Sequence, residues 1–212
     1  GWYKVRTNRG NIGYLKDIVN IYNVRENMEE QKQVEGRINL VWDYYSEYAQ
    51  APNRNGTTID GVNVVSPAFA ILEEDGQGSL YTNIGQAGEN YIKWAHENNY
   101  KVWPMISNNS DKKTTSEVLN DYELREKLIN NIVNLTLKYD IDGINIDFEY
   151  MNLSDKDVFS RFIIEIVPRM KEMGIVVSVD VTAPDGAPNW SMCYDRNVIG
   201  DVADYIVFMA YD

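Results

Sequence analysis

The centre of the chain reads Ile141-Asp-Gly-Ile-Asn-Ile-Asp-Phe-Glu-Tyr150, a run in which apolar and polar residues alternate. Successive side chains of a β-strand point to opposite faces of the sheet. One face of this predicted strand is therefore apolar, and the other carries Asn145, Asp147 and Glu149, spaced about 6.6 Å apart. We expect the apolar face to pack against helices and the polar face to point the other way.

Five further apolar runs predict strands, at residues 38–42, 62–72, 101–106, 175–181 and 205–211. Helical patterns lie between most of these runs. Strands that are hydrophobic on both faces and are joined by crossover helices are typical of a parallel sheet covered by helices. The predicted fold class is therefore α/β.

Two of the predicted helices are especially clear. One has Ser154 as its N-cap, repeats apolar residues every three to four positions and ends at Gly174. The other is predicted as a single helix over residues 116–139, on the same apolar period.

Two α/β architectures fit this pattern, an open doubly wound sheet and a (β/α)8 barrel. The first strand is not followed by the glycine-rich loop that a dinucleotide-binding sheet would carry. Several predicted strands end instead in Asp, Glu, Tyr or Trp, which is typical of the active face of a barrel. The sequence therefore predicts a TIM barrel whose first six strands lie in residues 37–212, with two further βα units missing from the chain.

In such a barrel, the polar face of the central strand points inward and rises toward the mouth. Two buried carboxylates side by side rarely both ionise, so the pKa of one is expected to rise. A carboxylic acid of raised pKa at the mouth of a barrel is suited to general acid catalysis. Helix capping or pairing with lysine explains any single one of these acids, but it explains three inward polar residues on one strand less well.

Residues 1–16 form a separate pattern, with two β-rich runs around the turn-forming segment Asn8-Arg9-Gly10-Asn11. This pattern predicts a β-hairpin. Its Trp-Tyr-Lys-Val and Gly-Tyr-Leu-Lys runs resemble the last strands of bacterial SH3-like wall-binding modules. Residues 17–36 show no clean period and are predicted to be a linker.

The composition excludes several classes of function. Among 212 residues, 20 Lys and Arg stand against 32 Asp and Glu, for a formal charge of −12. Nucleic-acid binding needs clustered cations, so a neutral or cationic ligand is expected instead. The longest apolar stretch, 64–72, is far too short to span a bilayer. The lone Cys193 cannot form an intrachain disulfide, and the start at Gly1 without a leader pattern implies that an export signal was removed or never existed.

The segment Asp142-Gly-Ile-Asn-Ile-Asp-Phe-Glu149 closely resembles the D-G-x-D-x-D-x-E signature of glycoside hydrolase family 18, the chitinase and endo-N-acetylglucosaminidase family. Met209-Ala-Tyr-Asp212 is similar to that family's M-x-Y-D mark on the sixth strand. The resemblance covers residues 37–212.

Two features depart from the chitinase pattern. Asn145 stands where the signature has its middle Asp. The S-x-G-G mark of the third strand is absent, since Asn108 and Asn109 follow Trp103-Pro-Met-Ile-Ser107. Asn145, together with Tyr150-Met-Asn152, is nearer the spore-cortex and spore-germination branch of the family, which acts on peptidoglycan-derived glycans.

The resemblance implies a retaining hydrolase of β-linked N-acetylglucosamine-containing glycans, chitin or peptidoglycan, that requires no metal or organic cofactor. Glu149 would act as general acid and then as base, while the acetamido carbonyl of the substrate attacks the anomeric carbon. Asp147 would bind the acetamido N–H and Tyr211 its oxygen. Asn145 would lie behind Asp147 and set its rotamer, and Asp142, which faces the other way, would be structural.

Aromatic side chains at or just beyond the strand ends are candidate platforms for sugar rings, although aromatic residues on barrel strands are more often core. The candidates are Trp42, Phe69, Trp103, Tyr150 and Trp190, and the M-x-Y-D mark adds Met209 and Asp212 as substrate contacts. His96 is expected on the solvated face of an outer helix.

Three hypotheses remain open: an active hydrolase, a catalytically silent chitinase-like carbohydrate-binding protein, and a different reaction on the same fold. Silent relatives usually lose the acid, so the presence of Glu149 favours an enzyme, whereas the missing strands favour loss of turnover in this chain alone. The hairpin and the cortex-like signature predict a secreted bacterial cell-wall or spore-associated protein with a polysaccharide substrate. No nucleic-acid or membrane partner is expected, and the oligomeric state stays open.

Overall fold

The computed structural model describes residues 2–6, 12–16, 34, 36–46 and 48–211. Near the N-terminus, β1 (Trp2–Arg6) pairs antiparallel with β2 (Ile12–Lys16). The predicted hairpin is therefore present in its backbone pairing. Its turn and most of the predicted linker lie outside the described residues, and the resemblance to a wall-binding module stays a prediction.

A second sheet contains the other strands of the described residues. They are β3 (Leu40–Asp43), β4 (Val64–Leu72), β5 (Leu80–Thr82), β6 (Lys101–Val102), β7 (Met105–Ser107), β8 (Gly143–Asp147), β9 (Val176–Thr182) and β10 (Tyr205–Met209). Six parallel strands lie side by side in chain order, as β3, β4, β7, β8, β9 and β10. A doubly wound sheet would reverse this order at its centre. The strands instead curl into an incomplete (β/α)8 barrel, as predicted.

Helices cover the outside of the curled sheet. They are α1 (Gly85–Glu97), α2 (Lys112–Asn120), α3 (Tyr122–Lys138), α4 (Lys156–Lys171) and α5 (Arg196–Val202). All residues of β4 and β9 are buried, as expected for parallel strands that are covered on both faces. The main core lies between the sheet and these helices.

Residues 116–139 form parts of two helices, so the prediction of a single helix is wrong. Asp121 has an extended backbone, with φ −90° and ψ 125°, and this ends α2. Its Oδ1 accepts hydrogen bonds from the backbone N–H of Glu123 at 2.8 Å and of Leu124 at 3.0 Å. Asp121 is thereby the N-cap of α3, and apolar periodicity on both sides concealed the break.

Two other predicted boundaries also move. Ser154 is not an N-cap, because it lies inside a 3-10 turn (Leu153–Asp155) and α4 begins only at Lys156. The third barrel strand is divided into β6 and β7 at Trp103 and Pro104. Pro104 has no N–H to donate to the sheet ladder, which accounts for the break at this point.

Candidate active site

A cleft of about 340 Å³ opens at the C-terminal ends of the barrel strands. Five of the predicted site residues line it, and they come from the ends of three strands: Trp42, Asp147, Glu149, Met209 and Tyr211. The active face of a (β/α)8 barrel lies at this end of the sheet. The cleft is therefore the candidate active site.

The alternation predicted for the central strand is confirmed. Ile144, Ile146 and Phe148 are fully buried, and the Phe148 ring stacks on Phe159 and Phe162 of α4 at centroid distances of 5.9 and 5.7 Å. The opposite face of β8 therefore points into the barrel. Asp147 ends the strand and Glu149 lies two residues beyond it; both side chains are half-buried and line the cleft.

The backbone around Glu149 is held by two buried side chains. Asn108 Nδ2 donates to the Glu149 carbonyl at 2.9 Å, and the Glu149 N–H donates to Asn108 Oδ1 at 2.9 Å. The Tyr194 hydroxyl donates to the Phe148 carbonyl at 2.8 Å. These bonds fix the direction in which Glu149 leaves the strand. Sequence analysis noted Asn108 only as a departure from the S-x-G-G mark.

Tyr150 follows with a left-handed backbone, φ 51°, which is uncommon for a residue other than glycine. Such conformations cluster at functional sites, where the surrounding structure enforces them. The half-exposed Tyr150 ring lies against Trp190, with centroids 4.7 Å apart and planes at 41°. The two rings form an aromatic surface next to Glu149, so Tyr150 and Trp190 remain candidates for contact with a sugar.

Asn145 lies one layer below Asp147 and is completely buried. Its Oδ1 accepts a hydrogen bond from Ser178 Oγ at 2.6 Å, and its Nδ2 donates to Asp180 Oδ2 at 2.6 Å. The orientation of the amide is set by these two bonds, because a flipped amide would turn its oxygen toward a carboxylate. Asn145 thus ties β8 to β9.

Asp180 is a cleft residue that sequence analysis missed. Its side chain is only 1% exposed, and its Oδ2 accepts a second hydrogen bond from Trp42 Nε1 at 3.1 Å. Burial and then the negative charge of Asp147 raise the pKa of Asp180 well above its ordinary value, against the opposing hydrogen bonds from Asn145 and Trp42. The signal was present, since Ser178 and Asp180 alternate with valines on β9 as the polar residues do on β8.

Trp42 and Tyr211 form one wall of the cleft. Their rings meet edge to face with centroids 6.1 Å apart. Tyr211 is 68% exposed, so its hydroxyl is accessible to a ligand. Met209, the last residue of β10, is buried and also lines the cleft. The predicted contact Asp212 lies outside the described residues.

The expectation of a sugar platform is not met at Phe69 or Trp103. Phe69 is 2% exposed and faces α1, where its ring meets Tyr91 at 5.8 Å. Trp103 is 1% exposed and stacks on Tyr205 at the N-terminal end of the barrel, one layer below the cleft residue Met105. Any Cβ on Gly143 would lie 2.6 Å from Trp103 Cδ1, which explains why the motif has glycine at this position.

Asp142 lies at the other end of β8, where it is surrounded by donors. Its carboxylate accepts from the Val102 N–H at 2.9 Å and from Lys101 Nζ at 3.3 Å, and lies 2.9 Å from His96 Nε2. Burial acts to raise the pKa of Asp142, but these hydrogen bonds and charges outweigh it and lower that pKa overall. The same hydrogen bond raises the pKa of His96. The expectation of a solvated His96 is therefore wrong, and Asp142 has the contacts of a structural residue.

A profile of glycosyl hydrolases family 18 matches residues 40–212. The chain belongs to this family. The uncharacterized glycosylase YvbX of Bacillus subtilis (strain 168) is 29% identical over 160 residues, which are 71% of this chain and 45% of that relative. The cortical fragment-lytic enzyme of the same organism is 26% identical over 116 residues, which are 51% of this chain and 27% of that relative.

A similar fold is found in solved structures. The crystal structure of the spore cortex-lytic enzyme SleL of Bacillus megaterium QM B1551 superposes with a TM-score of 0.64 at 23% identity. The superposition covers 71% of this chain and 36% of SleL, and at this identity it speaks for the fold alone. The chain spans less than half the length of these relatives.

The described residues also bear on metal binding and on membrane crossing. Within the described ranges, no group of three or more His, Cys, Asp or Glu side chains could hold a metal ion. None of the helices described above combines the length and the apolar character that crossing a membrane requires.

Proposed function

We propose that this family 18 domain hydrolyses β-linked N-acetylglucosamine-containing glycans with retention of anomeric configuration, using the acetamido group of the substrate as nucleophile. One observation carries the proposal: Asp147 and Glu149 meet Tyr211 in a single cleft at the C-terminal end of the barrel. The cleft offers an acid, an acceptor for an N–H and a donor for a carbonyl oxygen. An N-acetylated sugar presents the matching groups.

The reaction begins with Glu149, which donates its proton to the glycosidic oxygen as the bond from that oxygen to C1 breaks. The acetamido carbonyl oxygen attacks C1 from the opposite face and forms a cyclic oxazolinium ion. Asp147 accepts the hydrogen bond from the acetamido N–H and stabilises the growing positive charge. The Tyr211 hydroxyl donates to the acetamido oxygen and orients it.

Water completes the reaction. Ionised Glu149 removes a proton from the water, whose oxygen attacks C1 as the bond to the acetamido oxygen breaks. Two inversions at C1 give net retention, and Glu149 regains its proton. The bonds from Asn108 to the Glu149 backbone support this dual role, since the carboxyl must stay in reach of C1 through both steps.

The relatives favour peptidoglycan over chitin as the substrate. One is a cortical fragment-lytic enzyme, and another with the same fold is a spore cortex-lytic enzyme. Asn145 and the segment after Glu149 are similar to that branch. We infer that the protein acts outside the cell, at the wall or the spore cortex.

A carbohydrate-binding role without turnover is the second candidate. It is favoured by the high exposure of Tyr211 at one side of the cleft. Both candidates use the same residues to contact the sugar, and only release of product separates them.

The test follows product release and its stereochemistry together. The protein is incubated separately with chitin oligomers and with spore-cortex peptidoglycan fragments, and the products are identified by mass spectrometry and by proton NMR within the first turnovers. We expect cleavage after N-acetylglucosamine with the β-anomer formed first. A first-formed α-anomer would contradict attack by the acetamido group, and binding without any release would favour the second candidate.

A further inference from the structure

Asp180 carries hydrogen bonds on only one of its two oxygens. Asn145 Nδ2 and Trp42 Nε1 both donate to Oδ2, whereas Oδ1 is buried and no described residue donates to it. Burial of a charged oxygen without a donor is costly. A neutral Asp180 would remove that cost, and because Oδ2 already accepts two hydrogen bonds, its proton would sit on Oδ1.

The neighbour of Asp180 across the sheet is Asp147. Asn145 pairs with Ser178 and Ile146 with Val179 in the parallel ladder of β8 and β9. One further step of this register places Asp147 beside Asp180, on strands about 4.8 Å apart. Side chains at paired positions point to the same face, and both carboxylates line the same cleft.

The charges around this pair are mainly negative. Glu149 adds a third carboxylate from beyond β8, and none of the described residues that line the cleft is Lys, Arg or His. The charged and titratable groups of the neighbouring elements include the ion pair between Asp43 of β3 and Arg54, Arg196 of α5 at the Thr182 carbonyl, and the phenols of Tyr44, Tyr194 and Tyr211. Arg54 is paired with Asp43 and Arg196 bonds to the Thr182 carbonyl, and neither lines the cleft, so a proton is the available means of neutralising one acid of the pair.

Asn145 cannot hold that proton. An amide has no titratable group, and its N–H groups face Asp180 while its oxygen accepts from Ser178. The carboxylate that the family signature would place at position 145 is thus replaced here by one from the next strand.

We propose that Asp180 is a positioning residue, which keeps one proton on Oδ1 and donates it to the carboxylate of Asp147. This proposal rests on the proposed function, since it leaves Asp147 ionised for the acetamido N–H of the substrate. No covalent bond to the sugar is involved, and the proton stays within the pair. Burial and the charge of Asp147 raise the pKa of Asp180, in agreement with this arrangement.

Two substitutions of Asp180 separate the effect of its proton from the effect of its side-chain packing. In Asp180→Asn, the new NH2 takes the place of the O–H toward Asp147, and the new oxygen accepts from Asn145 and Trp42. We expect kcat on a chromogenic N-acetylglucosamine oligomer to stay within about threefold of wild type, whereas Asp180→Leu, which has no donor, lowers kcat about 100-fold with little change in KM. Equal loss in both variants, or equal activity in both, would overturn the proposal.

A spectroscopic measurement locates the proton without reference to turnover. Infrared spectra are recorded near neutral pH in the Glu149→Gln background, because this substitution removes the other carboxylic acid that is proposed to be neutral. Difference spectra compare this background with the same protein carrying one further substitution. We expect the carbonyl stretch of a protonated carboxylic acid there, and its loss on adding Asp180→Asn but not on adding Asp157→Asn, an exposed aspartate on α4. Persistence of the band after Asp180→Asn would overturn the proposal.

The two readouts also separate this proposal from the proposed function. If wild type releases no sugar while the band depends on Asp180, the hydrolase assignment fails and the proton on Asp180 stands. If wild type cleaves the substrate and the band does not depend on Asp180, the hydrolase assignment stands and the proton on Asp180 fails. Since Asp180→Asn is isosteric, the infrared result stays decisive even if Asp180→Leu misfolds.

Discussion

Two buried carboxylates near opposite ends of β8 lie in opposite surroundings. At the N-terminal end, Asp142 is 6% exposed and is met by His96, Lys101 and a backbone N–H, and its pKa is lowered. Near the C-terminal end, Asp180 of the neighbouring strand β9 is 1% exposed, has an amide, an indole and two other acids as neighbours, and its pKa is raised. Burial alone therefore does not tell a structural acid from a reactive one. The charge of the neighbours does.

The largest effect on catalysis among the neighbours of Glu149 is expected at Asp147. The change Asp147→Asn removes the negative charge that would face the oxazolinium ion, so we expect kcat to fall about 1,000-fold. Steady-state kinetics on a chromogenic N-acetylglucosamine oligomer checks this. The melting temperature should change little, because the amide oxygen that replaces the carboxylate can still accept the proton that Asp180 donates. A wild-type rate for Asp147→Asn would show that the C-terminal end of β8 is not the reactive end.

The other end of the strand should respond in stability and not in rate. Asp142→Asn leaves His96 and Lys101 without their buried acid, and we expect the free energy of unfolding in urea to fall by about 3 kcal/mol. Asp140→Asn is the matched control, because Asp140 lies 3.7 Å from His96 Nδ1 but is 84% exposed. That control should change stability by no more than about 0.5 kcal/mol. Equal effects of the two changes would show that burial does not matter here.

A smaller effect concerns the pH dependence of stability. Asp180 binds its proton more tightly in the folded state than in the unfolded chain, where its pKa is near the ordinary 3.8. Stability therefore declines as pH rises from that value toward the folded pKa. In Asp180→Asn this part of the decline is absent, so its melting temperature should gain on wild type as the pH rises from 3.8 toward neutral. A constant difference across this range would contradict the raised pKa.

Much of this arrangement could be predicted from the sequence, because it depends on how apolar and polar residues repeat along neighbouring positions of the chain. Alternation on the central strand was enough to place Asp147 and Glu149 on the inner face and Phe148 on the outer one. The order of the strands followed from the succession of apolar runs and helices. Each of these inferences uses neighbours along the chain.

What sequence analysis missed depends on contacts between elements. Trp103 was expected at a strand end, but its height in the barrel depends on the register of β6 and β7 against their neighbours. Asn108 bonds to the Glu149 backbone across 41 residues, and no local pattern announces that contact. Asp180 could have been found by applying to β9 the alternation argument used for β8, but its pairing with Asn145 required the register between the two strands.

The most direct test of the division between the two ends is the effect of Glu149→Gln on binding and on turnover in the same preparation. Glu117→Gln, on the exposed face of α2, is the matched control. We predict that Glu149→Gln binds an N-acetylglucosamine oligomer in calorimetry about as tightly as wild type while product release falls below detection, with Glu117→Gln unchanged in both. Wild-type turnover by Glu149→Gln would contradict the assignment of the reactive end of β8.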